Sequence, residues 1–129
     1  MTKAMRRSIV QRERNQLVIY VPLDHKASAA WVDIFESFAG AGDQGFAFAA
    51  GNMFPRFSGG PAATASLDLT GVGGKGVGDR IKGALAKLKE LIELTDSEDR
   101  RRTALVTAMA KVADNWWTEV PPPVTHDSL

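Results

Sequence analysis

The stretch SLDLTGVGGKGVGDRIKG (residues 66–83) changes character twice along its length. It opens with apolar Leu67 and Leu69 alternating with polar residues, which is the period-two pattern of a half-buried strand. A glycine-rich loop follows. From Asp79 to Glu119 the chain then contains one glycine and no proline, which predicts helix. The chain therefore passes from sheet to helix here, which predicts an α+β fold.

Three upstream segments predict the rest of a small sheet and one helix. QLVIYVPL (residues 16–23) is rich in β-branched residues and apolar on both faces, which predicts an interior strand. DHKASAAWVDIFESFAGAG (residues 24–42) predicts a helix capped by Asp24 or Ser28 and ended by Gly40. GFAFAA (residues 45–50) is typical of a short buried strand, and GNMFPRFSGG (residues 51–60) is typical of an aromatic loop.

Downstream, two apolar stripes recur at helical spacing. They consist of Ile81, Leu85, Leu88 and Ile92, and of Leu105, Met109, Val112 and Trp116. A continuous helix would place Thr95, Asp99 and Arg102 on the apolar seam, so we predict a break near residues 95–97. There Thr95-x-x-Glu98 fits a capping box. The prediction is a small antiparallel or mixed sheet in β-α-β-β order followed by a C-terminal helical hairpin. A ferredoxin-like arrangement without its last strand is one version.

Composition limits the class of protein. The chain has 129 residues, a net charge of +1 and no cysteine, which fits one domain without disulfides or thiol chemistry. We predict a basic arm over residues 1–14, a single α+β domain over residues 15–117 and a proline-rich tail over residues 118–129. The apolar run that ends at Pro22 is too short for a signal core or a membrane span, so we expect a cytoplasmic protein.

The glycine loop satisfies G-x-G-x-x-G from Gly71 to Gly76, between a predicted strand and a predicted helix. Glycine lets backbone N–H groups approach an anion at a helix N-terminus, so an anion or nucleotide site over residues 71–78 is one alternative. Its residues would be Gly73, Gly74, Lys75, Gly76 and Arg80. A dinucleotide-binding unit would continue into a second parallel strand, which is missing here, so a mobile connector is the favoured interpretation.

A second alternative is binding of single-stranded nucleic acid. IYVPL, AAWVDIFESFAG and QGFAFAAG are similar to the first strand, the first helix and the core strand signature of the RNA recognition motif. Nothing after Gly51 follows that family's pattern. The resemblance implies that aromatic side chains on a sheet face stack bases. The uneven charge of the chain suggests the basic N-terminal arm as a further contact with nucleic acid. The residues nominated are Tyr20, Phe46 and Phe48 on the sheet, with Arg6, Arg7, Arg12 and Arg14 on the arm. The competing interpretation of Phe46 and Phe48 is burial in the core.

The sequence offers little for catalysis, since it has two histidines and no nucleophile or metal motif. We expect no cofactor, no metal and no membrane partner. The leading prediction is a small non-catalytic interaction protein, as a homo-oligomer or with another protein partner. It would bind through Met53, Phe54, Phe57 and Trp117. Packing of Trp117 against the chain's own tail is the competing interpretation.

Overall fold

The computed structural model describes residues 8–54 and 60–119. The elements along the chain are β1 (Ile9–Glu13), β2 (Gln16–Pro22), α1 (Ala29–Ala39), β3 (Phe46–Phe54), β4 (Gly60–Asp68) and α2 (Val77–Glu119). The α+β class is confirmed. The chain divides within α2 into two compact units, Met1–Asp99 and Arg100–Leu129.

The four strands form one antiparallel sheet in the order β1-β2-β4-β3. Because β4 lies between β2 and β3, the unit β2-α1-β3 is a split β-α-β. Its continuation through β4 and α2 has the connectivity of the ferredoxin-like version without a last strand. The pattern of QLVIYVPL correctly indicated an interior strand, since β2 pairs with β1 on one side and β4 on the other.

Strand β1 lies inside the segment predicted as a basic arm. Ile9 pairs with Tyr20 and Glu13 pairs with Gln16, so Arg12 belongs to the hairpin and Arg14 to its turn. Arg14 has a positive φ of 56°, and the Arg12 Nε donates to the Arg14 carbonyl at 2.9 Å. These two arginines are therefore held at a sheet edge. Arg6 and Arg7 lie outside the described residues.

Helix α1 has the ends that its sequence predicts. The Ser28 side chain accepts a hydrogen bond from the Trp31 backbone N–H at 3.1 Å, which identifies Ser28 rather than Asp24 as the cap. The Gly40 N–H donates to the Glu36 carbonyl at the C-terminal end. The inner face of α1 contributes Trp31 and Phe35, which are stacked with ring centroids 5.5 Å apart.

One face of the sheet carries the main core. Alternate residues of β2 point to opposite faces, so Ile19 and Val21 pack with α1 and α2. Tyr20 and Val18 pack with Ala62 on the other face. From α2, the buried side chains are those of Ala84, Leu88, Leu91, Ile92 and Thr95. In the first predicted stripe, Leu88 and Ile92 are buried and Ile81 and Leu85 are partly buried against the core, so this stripe faces the sheet together with α1.

The predicted break near residues 95–97 is not there, because α2 is one helix of 43 residues. Thr95 is fully buried, but its hydroxyl donates to the Leu91 carbonyl at 2.6 Å and is satisfied inside the helix. The neighbouring Asp96 accepts a hydrogen bond from the Trp31 indole N–H at 2.8 Å. Both polar residues thus have partners without a helix end, and the helical hairpin is replaced by a single helix.

Strand β3 continues to Phe54, so residues 51–54 are strand rather than loop. The register shifts between Gly51 and Phe54, which marks a bulge at this end of the strand. Neither helix within the described residues combines the length and the apolar character needed to cross a bilayer.

Candidate functional site

The nominated base-stacking rings lie in the core. Phe46 and Phe48 are 3% and 9% exposed and belong to the cluster beneath the helices. Tyr20 is 4% exposed on the opposite face, and its hydroxyl donates to the Glu13 carboxylate at 2.6 Å. Stacking needs an open ring face, so none of these three rings offers a platform for a base.

The glycines nominated for an anion site are exposed. A Cβ added at Gly73, Gly74 or Gly76 would meet no atom within 4 Å, which places these glycines in open space. Lys75 is exposed in the same loop. Arg80 is directed elsewhere, because its guanidinium donates to the Gln44 carbonyl at 2.9 Å and lies 5.9 Å from the Phe46 ring centroid.

Three hydrogen bonds between polar groups lie at the start of the glycine loop. The Asn15 amide donates to Asp68 Oδ1 at 3.1 Å and to Thr70 Oγ1 at 2.6 Å, and the Thr70 N–H donates to the same Asp68 oxygen at 2.9 Å. The Thr70 backbone N–H, and then its hydroxyl, hold the pKa of Asp68 below its usual value. These hydrogen bonds fix the start of the loop, and the anion or nucleotide site over residues 71–78 stays a prediction.

A small cleft lies beside the β3 hairpin. It has a volume of about 30 Å³, and its lining includes Asp43, Phe46, Arg80 and Lys87. This is below the roughly 300–1,000 Å³ of ordinary small-molecule sites. Within residues 8–54 and 60–119, no group of three or more His, Asp or Glu side chains is placed to hold a metal ion.

Over residues 100–119, the part of the second unit that the structure describes, α2 carries an exposed apolar surface. Every described side chain over residues 100–119 is exposed. Six of them are large and apolar, with exposed fractions from 42% to 71%: Leu105, Val106, Met109, Val112, Trp116 and Trp117. We call this set the 105–117 face. Because residues three and four apart share a side of a helix, it forms one continuous surface.

Two tryptophans close the C-terminal end of the 105–117 face. Trp116 and Trp117 meet edge to face, with centroids 4.8 Å apart and planes at 84°. Met109, Val112 and Ala113 line the same shallow depression. The side of the helix away from this face carries polar side chains, among them Thr107, Lys111 and Asp114. The segment is therefore amphipathic.

The other residues of the predicted interface are only partly placed. Trp117 is 71% exposed and belongs to the 105–117 face. Met53 and Phe54 lie in β3, but their side chains are outside the described residues, as is Phe57. The sequence periodicity had found Leu105, Met109, Val112 and Trp116, but had assigned them to the inside of a hairpin. Val106 was missed, because it is adjacent to Leu105 and lies about 100° around the helix from the second stripe.

In comparisons with known proteins, no family model, no curated protein and no solved structure matches the chain significantly.

Proposed function

We propose that this protein is a non-catalytic interaction protein that self-associates, with the 105–117 face as its contact surface. The observation that carries the proposal is the exposure of six large apolar side chains on one side of one helix. Solvation of such side chains costs free energy, which is recovered when a second apolar surface covers them.

The extent of the 105–117 face favours a contact surface. Its six large apolar side chains are each 42–71% exposed and lie close together over residues 105–117, whereas exposed apolar side chains on a monomer are usually scattered singly. A second copy brings an identical surface, so one face on each chain suffices for a symmetric contact.

The composition of the face also fits protein rather than nucleic acid. Its members are aliphatic side chains, a methionine and two tryptophans, and tryptophan and methionine are enriched in the centre of interfaces. Met53, Phe54 and Phe57 remain predicted contact residues for a protein partner. Self-association through the 105–117 face of α2 does not require them.

Sedimentation velocity over a range of concentrations tests the proposal. Val112→Asp places a charge in the middle of the face, and we expect it to raise the dissociation constant at least tenfold, since a buried unpaired carboxylate is costly. Thr107→Asp, on the opposite side of the same helix, is the matched control and should leave association unchanged. Valine, threonine and aspartate have similar helix propensities, so both variants should keep the helix.

Two results would contradict this proposal. One is equal weakening by Val112→Asp and Thr107→Asp. The other is a wild-type chain that sediments as a monomer at every concentration. If removal of residues 120–129 then made that monomer associate, the chain's own tail would be the occupant of the face.

A further inference from the structure

We propose, resting on the self-association above, that two copies pair through antiparallel helices in one defined register. Leu105, Met109, Val112 and Trp116 follow one another at spacings of four, three and four residues. That is the spacing of core positions in a coiled coil, and we call these four residues the seam. All four are exposed in α2, with fractions from 42% to 69%.

The residues that continue the seam at each end are charged. Three residues before Leu105 lies Arg102, and three residues after Trp116 lies Glu119. Both are within α2, so both occupy core positions of the same helical pattern. The seam is thus an apolar segment with a cation at one end and an anion at the other.

In an antiparallel pair of helices, the seam of one copy can lie along the seam of the second copy with apolar residues opposite one another. Alignment about the midpoint between positions 110 and 111 sets Met109 opposite Val112 of the second copy. It also sets Leu105 opposite Trp116. The same alignment brings Arg102 opposite Glu119, once at each end of the helix pair. In this one register, each apolar residue of the seam lies opposite an apolar residue of the second copy. Each charged residue that flanks the seam lies opposite a residue of the other sign.

Parallel pairing has the opposite electrostatics. Each residue would then face its own copy, which sets Arg102 against Arg102 and Glu119 against Glu119. Like charges in contact disfavour a pairing mode, whereas opposite charges select it. This preference depends only on the positive charge of Arg102 and the negative charge of Glu119 at the two ends of the seam. It applies whether or not Arg102 also pairs within its own helix.

The antiparallel register has a consequence for assembly size. Because each copy uses the same surface, the contact is isologous and closes with twofold symmetry. The assembly then stops at two chains, with twice the 13.9 kDa mass of one chain. Growth into filaments needs a second, different surface.

Spin labels on the outer side of the helix measure the pairing direction. The chain has no cysteine, so Ala104→Cys, Lys111→Cys and Thr118→Cys each carry one nitroxide. The three positions are seven residues apart, so they lie on one side, away from the seam. In the antiparallel register the two labels are offset along the axis by about 20 Å at 104, about 2 Å at 111 and about 22 Å at 118.

Pulsed dipolar spectroscopy should therefore give a shorter label-to-label distance at position 111 than at positions 104 and 118. Equal distances at all three positions would mean parallel pairing, and would overturn this inference while leaving self-association intact. If the labelled chains gave no dipolar signal and the wild-type chain sedimented as a monomer at every concentration, self-association itself would have failed.

A charge exchange provides a second measurement without labels. Glu119→Arg places a positive charge opposite Arg102 of the second copy, so we expect the dissociation constant to rise several-fold. Adding Arg102→Glu to the same chain restores opposite charges and should return the constant toward the wild-type value. No effect of Glu119→Arg, or no recovery in the double variant, would count against the antiparallel register.

Discussion

Replacing Leu88 with alanine will lower the free energy of unfolding by about 2–5 kcal/mol, the range for large-to-small changes in a close-packed core. Leu88 has no exposed surface and belongs to the cluster that includes Ile19 and Phe35. Alanine leaves a cavity between α2 and the sheet, and the rigid strands limit how far the core can collapse into it.

Urea denaturation at low protein concentration measures this effect without a contribution from association. Leu94→Ala is the matched control, since it makes the same chemical change on the same helix at a side chain that is 41% exposed. We expect it to cost less than about 1 kcal/mol. Equal losses in the two variants would show that α2 does not pack on the sheet through Leu88.

Gly42→Ala should destabilise the protein by about 3 kcal/mol or more, because it combines backbone strain with a steric clash. Gly42 has a φ of 92°, in the region that favours glycine, and an added Cβ would lie 2.1 Å from the Phe46 carbonyl oxygen. That oxygen accepts the Asp43 N–H at 3.0 Å. The substitution would therefore push residues 42–43 away from Phe46 at the start of β3 and break this hydrogen bond.

Gly73→Ala is the control for the second prediction. Gly73 lies in a loop with no atom within 4 Å of an added Cβ, and it does not have a positive φ. We expect the free energy of unfolding of the Gly73→Ala variant to stay within about 0.5 kcal/mol of the wild-type value, or to rise slightly. A Gly42→Ala variant as stable as Gly73→Ala would refute the close approach between Gly42 and Phe46.

Periodicity predicted several elements because local residue patterns carry them. The β-branched run over residues 16–23 identified an interior strand, and Ser28 and Gly40 marked the ends of α1. The alternation of Leu67 and Leu69 indicated a strand before the glycine loop, and β4 ends there at Asp68, although residues 62–65 are buried in succession and not on one face only. These features depend on residues that are close together in the sequence, so the sequence alone is enough to predict them.

The continuity of α2 depended on tertiary partners. Thr95, Asp99 and Arg102 interrupt the apolar seam, and the Thr95-x-x-Glu98 pattern fits a capping box, so the sequence alone indicated a helix end. The hydroxyl of Thr95 is satisfied by Leu91, and Asp96 accepts the indole N–H of Trp31 from another helix. The second of these partners is 65 residues away, so no local pattern contains it.

The amino-acid sequence by itself determined the α+β class, the interior strand and the two apolar stripes of the C-terminal region. Only the tertiary structure decided that the first stripe, around Leu88, is covered by the sheet and that the second, around Met109, is exposed. The two stripes have similar helical spacing, and spacing reports which side of a helix is apolar. Whether another surface covers that side depends on contacts between distant segments.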